Sequence, residues 1–191
     1  MNDLDSLLDD LVSGDDQRAE AAAEKLGTRG SVALPPLLEM LDATNPDHRW
    51  WAVRALTLFN QLEAKNGICR AIKDPDPEVR KCAAISLRQR PTPAAIPALI
   101  EAMHDSDRLV ARLAGDALAA IGNVAIASLV DAMQAPDTNV RVEATRAMAC
   151  LRNHQSIPAL FAALDDPSPW VTHWAEEGLQ RLGVGTLFFK P

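Results

Sequence analysis

Leu4, Leu7, Leu8 and Leu11 open the chain with apolar residues at i, i+3, i+4 and i+7, a spacing that gathers four side chains on one helix face. The same spacing returns at Leu34, Leu37, Leu38 and Leu41, then at Lys65, Ile68, Cys69 and Ile72, where Lys65 is the one charged member. It returns again at Ile96, Leu99, Ile100 and Met103, at Ile126, Leu129, Val130 and Met133, and at Ile157, Leu160, Phe161 and Leu164. Each burst is followed by a second helical pattern. Its first column holds Arg18, His48, Val79, Val110, Val140 and Val171, so the period is 30 or 31 residues. Four residues on comes an unvarying column, Ala22, Ala52, Ala83, Ala114, Ala144 and Ala175, and four further Leu26, Leu56, Leu87, Leu118, Met148 and Leu179. Positions 0, 4 and 8 fall within about 80° of a helical wheel and make a second stripe, whose alanines admit a close neighbour.

The starts of the second helices are written as clearly as their faces. Three residues before the first column stand Asp15, Asn45, Asp76, Asp107, Asp137 and Ser168, side chains that can accept from the free N–H groups of a first turn. Pro46, Pro77 and Pro169 follow three of them at the first helical position, where a missing N–H costs nothing. The chain therefore reads as six helix pairs, at about residues 1–30, 31–61, 62–92, 93–122, 123–153 and 154–184, with a tail at 185–191. Neither helix of a pair can bury its stripe alone, whereas stacking successive pairs joins the stripes into one core. The expectation is an all-α fold, an α-α superhelix forming a single solenoid domain.

The segments "IPALIEAMHDSD", "IPALFAALDDPSPWV" and "DPDPEVRKCAA" resemble the HEAT-like repeats first named from bilin (phycobilisome) lyases, over residues 1 to about 184. The resemblance implies a right-handed stack with second helices lining a concave groove. It also implies a range of activities, because that family includes scaffolds, lyase subunits, metal-dependent hydroxylases and DNA glycosylases. Arg49, Arg80 and Arg141, with Asp74, are similar to the Arg and Asp residues that link successive turns of such stacks. Ala19, Ala111 and Thr172 interrupt that series.

On a helical wheel the groove columns lie at −2, +2, +5, +6 and +9 from the first column of each second helix. The middle repeats place Arg54, Lys81, Arg88, Arg108, Arg112 and Arg146 there against Asp116 alone, while Asp16, Glu20, Glu24, Glu176 and Glu177 fall in the end repeats. With a formal net charge of −7 over 191 residues, the middle of the groove is selectively basic. The overall charge disfavours a surface built to coat nucleic acid or an anionic membrane. Trp50 falls on the groove face, Trp170 on its flank and His173 on the groove face, and exposed tryptophan is a frequent interface anchor. Trp51 and Trp174 fall beside the core stripe and read as core.

Catalytic constellations are wanting. His48, His104, His154 and His173 do not converge by spacing, no His precedes a Glu as in the iron-binding dipeptides of the hydroxylases, and no Gly-rich phosphate loop occurs. Cys69, Cys82 and Cys150 lack a CxxC spacing and read as buried free thiols. The acidic start, without a basic and then apolar leader, reads as cytoplasmic. The function expected is a non-enzymatic scaffold, without cofactor or metal, that binds an acidic or mixed-charge segment of a protein partner. The binding candidates are Trp50, Arg54, Lys81, Arg88, Arg108, Arg112, Arg146, Trp170 and His173. The alternatives are a bilin-lyase-like chromophore-handling protein and a HEAT-like DNA glycosylase or nucleic-acid binder. A monomer is expected, with Leu187, Phe188 and Phe189 either capping the last pair or joining two molecules.

Overall fold

The computed structural model describes residues 3–184, so the expectation for the 185–191 tail falls outside the described residues. The chain divides into two compact units, one ending at Arg90 and the other beginning at Pro91. The first unit contains α1 (Asp3–Leu11), α2 (Asp16–Thr28), α3 (Leu34–Met40), α4 (Pro46–Leu56), α5 (Leu62–Ala71) and α6 (Pro77–Gln89). The second contains α7 (Ile96–Ala102), α8 (Arg108–Ile121), α9 (Ile126–Ala132), α10 (Thr138–Leu151), α11 (Ile157–Ala162) and α12 (Pro169–Arg181). No strand occurs among the described residues, and the fold is all-α.

The odd-numbered helices have only 6 to 10 residues, well short of what holds a helix together in water without partners. Each is held by the even-numbered helix after it. In the first unit α1 packs on α2, α3 on α4 and α5 on α6; in the second α7 packs on α8, α9 on α10 and α11 on α12. The column Leu7, Leu37, Ile68, Leu99, Leu129 and Leu160 is buried throughout, and so are the facing alanine and leucine-or-methionine columns of the second helices. Asp15, Asn45, Asp76, Asp107, Asp137 and Ser168 are the N-caps of α2, α4, α6, α8, α10 and α12. All but Ser168 accept backbone N–H groups of the first turn through the side chain.

Each unit has a second packing direction that the wheel did not disclose. α2 contacts α4 and α4 contacts α6; α8 contacts α10 and α10 contacts α12. The column at +5, assigned above to the groove, is buried at Ala23 and Val53 in the first unit and at Gly115 and Thr145 in the second, because there it meets the next second helix of the same unit. A Cβ at Gly115 would stand 3.2 Å from Arg146 Nη2, so the missing side chain makes room for that guanidinium. Lys25 on α2 and Glu176 on α12 are exposed. The first column departs from core in the first two repeats, where Arg18 is exposed and pairs with Asp10, and His48 is half-buried.

The Arg–Asp links form inside each unit. Arg49 grips Asp74 bidentately, at 2.8 Å from Nε and 2.8 Å from Nη2, while its Nη1 donates to the carbonyls of Ala43 and Thr44. One side chain thus ties the α3–α4 loop to the α5–α6 loop. Arg141 does the same in the second unit, reaching Asp166 at 2.8 and 3.3 Å and the carbonyls of Ala135 and Pro136. The hydrogen bond from Arg141 holds the Asp166 carboxyl below the usual carboxylate range, and Asp166 also accepts from Ser168 N–H.

Candidate functional site

The structure distributes the basic candidates unevenly between surface and interior. In the first unit Arg54 is half-buried and pairs with Glu20 across α2 and α4, while Lys81 pairs with Glu78 at 2.8 Å and leaves 18% of its side chain exposed. Arg88 is exposed near the end of α6. In the second unit Arg108 and Arg112 are exposed one turn apart on α8, and neither side chain forms an ion pair among the described residues.

Arg146 departs most from expectation. It is a groove cation by spacing, yet its side chain is only 6% exposed, so it is an internal bridge rather than a surface anchor. Nη1 meets Asp116 at 2.7 Å, Nε meets Glu143 at 2.7 Å and Nη2 donates to the Arg112 carbonyl at 2.8 Å. Burial disfavours the guanidinium charge, but the hydrogen bonds to Glu143 and Asp116 more than offset this and hold its pKa above the ordinary arginine value. The reason is the second packing direction: column +6 of one second helix lies beside the preceding one, so a cation there finds carboxylates on its neighbour. Glu20 with Arg54 repeats the arrangement in the first unit. Acid and base are 34 residues apart there, and Asp116 and Arg146 are 30 apart. Those spacings are the signal that per-helix charge counting overlooked.

The tryptophans also regroup. Trp50 and Trp51 are both half-buried, with ring centroids 4.8 Å apart at 81°, an edge-to-face pair. The core reading of Trp51 is therefore corrected. Both rings line a cavity of about 640 Å³ in the first unit, together with Val12 and Gly14 of the α1–α2 loop, Asp16 and Glu20 of α2, Asn45, Asp47 and His48 around the start of α4, and Glu78 of α6. Asp16 and Glu20, two of the acidic residues assigned above to the end repeats, thus share a cavity with Trp50. In the second unit Trp170 is 67% exposed, its ring 6.3 Å from His173 at 89°, and His173 lies 5.4 Å from the half-buried Trp174 at 62°. This aromatic run along α12 brings two of the candidates together and adds Trp174, which spacing had placed in the core.

The thiols separate by environment. Cys82 is buried, with its thiol pKa pushed up to about 12 by desolvation, and its Sγ donates to the Trp50 carbonyl at 3.8 Å. Cys69 is half-buried and shifted upward by the same cause, whereas Cys150 is exposed, contrary to the buried reading. No group of three or more His, Cys, Asp or Glu side chains placed to hold a metal occurs among the described residues. No single helix among them is long and apolar enough to cross a membrane.

Comparison with solved structures returns helical-repeat proteins. YibA of Escherichia coli matches with a TM-score of 0.59 at 23% identity, over 95% of this chain and 73% of that one. The complex of CpcE and CpcF of phycocyanin lyase from Nostoc sp. PCC7120 matches with a TM-score of 0.55 at 25% identity, over 96% and 78%. A designed armadillo repeat protein in complex with a (KR)4 peptide matches with a TM-score of 0.53 at 20% identity, over 95% and 100%. No match is found among curated proteins. The family model for HEAT repeats matches residues 34–119 and again residues 97–180, which is more than half of the sequence, and the chain belongs to the HEAT-repeat family.

Proposed function

We propose that the protein is a non-enzymatic interaction module that holds an acidic or mixed-charge segment of a protein partner on the exposed faces of its second helices. The observation that carries this reading is the pair Arg108 and Arg112. In a chain of net charge −7, they are exposed on one face of α8 and form no ion pair among the described residues. Exposed complementary charge speeds encounter and fixes register more than it adds raw affinity. In the same unit Trp170 offers a large exposed ring, which is the chemistry of an interface anchor. Arg54, Lys81 and Arg146 play a different part, since their carboxylate partners lie within the fold. Two structural relatives support a protein ligand: one is a complex of two proteins and the other a complex with a peptide.

Selection of a random peptide library on the full chain tests the reading. The expected winners carry Asp or Glu beside apolar residues, bind more weakly as salt rises, and lose about tenfold in affinity to the Arg108→Glu/Arg112→Glu variant, equivalent to about 1.4 kcal/mol. Peptides whose affinity is indifferent to that double reversal, or a library that yields no binder, would refute it.

A further inference from the structure

The cavity of the first unit has a chemistry opposite to that of the Arg108 and Arg112 face. We infer that it receives the basic side chains, arginine foremost, of a partner segment. The inference rests on the interaction-module reading and assigns the positive part of a mixed-charge segment to a place of its own.

Four carboxylates line the cavity, from Asp16, Glu20, Asp47 and Glu78. Two are engaged, Glu20 by Arg54 and Glu78 by Lys81. Asp16 and Asp47 are exposed and form no side-chain ion pair among the described residues. Both stand in first turns, of α2 and α4, where a negative charge also suits the helix dipole. Helix stability therefore accounts for their being acidic, but not for the aromatic pair beside them.

Asp47, Trp50 and Trp51 are at i, i+3 and i+4 of α4 and so share a face, as Asp16 and Glu20 do at i, i+4 on α2, the helix that packs against α4. The two indoles remain half-exposed although each presents a large apolar ring. A half-exposed indole beside uncompensated carboxylate attracts a cation on its face, and the planar guanidinium does so best, because it can stack on a ring while donating a two-pronged hydrogen bond to a carboxylate. At about 640 Å³ the cavity lies in the size range of small-ligand sites, roughly 300–1,000 Å³, and is open enough to admit side chains carried on a backbone.

The test uses fluorescence anisotropy of a dye-labelled peptide of alternating Arg and Gly, beside the same peptide with citrulline for arginine, against the full chain. Citrulline keeps the length and planarity but not the charge, and is expected to bind about tenfold more weakly or worse. Asp16→Asn/Asp47→Asn and Trp50→Ala are each expected to lose about tenfold, while Asp5→Asn/Asp9→Asn, with the same change in net charge on α1, keeps the affinity. Equal binding of the citrulline peptide, equal losses for the two aspartate pairs, or no binding of the arginine peptide would each overturn the inference. Should Trp50→Ala fail to fold, the exposed Asp16 and Asp47 pair decides alone. Arg108→Glu/Arg112→Glu is expected to leave arginine-peptide binding unchanged while weakening the acidic peptides, so this inference and the interaction reading fail on different measurements.

Discussion

Replacing Arg146 with methionine separates an internal bridge from a surface cation. Methionine keeps much of the apolar stem, so packing against α8 changes little, but it removes three charge-assisted hydrogen bonds, to Glu143 at 2.7 Å, Asp116 at 2.7 Å and the Arg112 carbonyl at 2.8 Å. Bonds to charged groups contribute about 1.5–3 kcal/mol each, and removing the guanidinium relieves its own desolvation, which offsets part of their sum. Glu143 and Asp116, with side chains 18% and 26% exposed, both lose the cation they share. Breaking such a buried cluster by removing one partner costs about 3–5 kcal/mol. That is a large fraction of the roughly 5–15 kcal/mol that holds a domain folded. Urea unfolding followed by far-UV circular dichroism reads it as a lowered midpoint at unchanged slope. A double variant, Arg146→Met with Glu143→Leu, is expected to recover part of the loss, because it removes one of the two carboxylates that the guanidinium balanced. A single-variant loss below about 1 kcal/mol, the value of an exposed pair, would refute the argument, as would a double variant less stable than the single one.

Three further outcomes follow from the packing and titration of named groups. Gly178→Ala is expected to lower the melting temperature more than Gly67→Ala: both gain about 1 kcal/mol of helix propensity, but the new Cβ at 178 would stand 3.1 Å from Ala149 Cα, whereas at 67 it meets the movable ends of Leu38, Leu41 and Leu56; the reverse order refutes this. Asp166 has a lowered folded-state pKa, so its contribution is complete above the unfolded value near 3.9 and is lost as pH falls through the folded one. Asp166→Asn should therefore cost about 1.5–3 kcal/mol at neutral pH and progressively less as pH falls below about 4, and a constant difference in urea midpoint across that range would contradict the assignment. At pH 8 a thiol reagent should label the exposed Cys150 first and the buried Cys82 only on unfolding, which mass spectrometry of the labelled peptides reads directly.

The helix pairs were legible because their signals are local. Capping needs one side chain and the three residues after it, so Asp15 through Ser168 declare the starts of the second helices, and a core stripe needs only the wheel. What stayed hidden depends on the neighbour. Column +5 looks like an outward face until the next second helix of the same unit is laid on it, and the small residues Ala23 and Gly115 are the trace of that contact. Arg146 looks like a surface cation until α8 supplies Asp116 beside it. Trp51 looks like core because it adjoins the core stripe, but the first-column residue in its repeat is the half-buried His48, which lines the same cavity as both indoles. Charge counted helix by helix likewise set Glu20 against Arg54 as opposite ends of a gradient, when the two are joined.

Gly115, Asp116, Glu143 and Arg146 also limit how freely the repeats can be interchanged. A module that ends after α8 and another that begins at α9 divide the sequence at a natural loop, but they cut through one four-residue agreement: a missing Cβ and a carboxylate on one side, a guanidinium and its second carboxylate on the other. Moving the fifth repeat elsewhere would take Arg146 away from the glycine and the Asp116 carboxylate that receive it, and copying the fourth would leave the space over Gly115 unfilled. The smallest piece of this chain that can be transplanted intact here is two repeats long, so the period read from the sequence is shorter than the unit on which substitution must act.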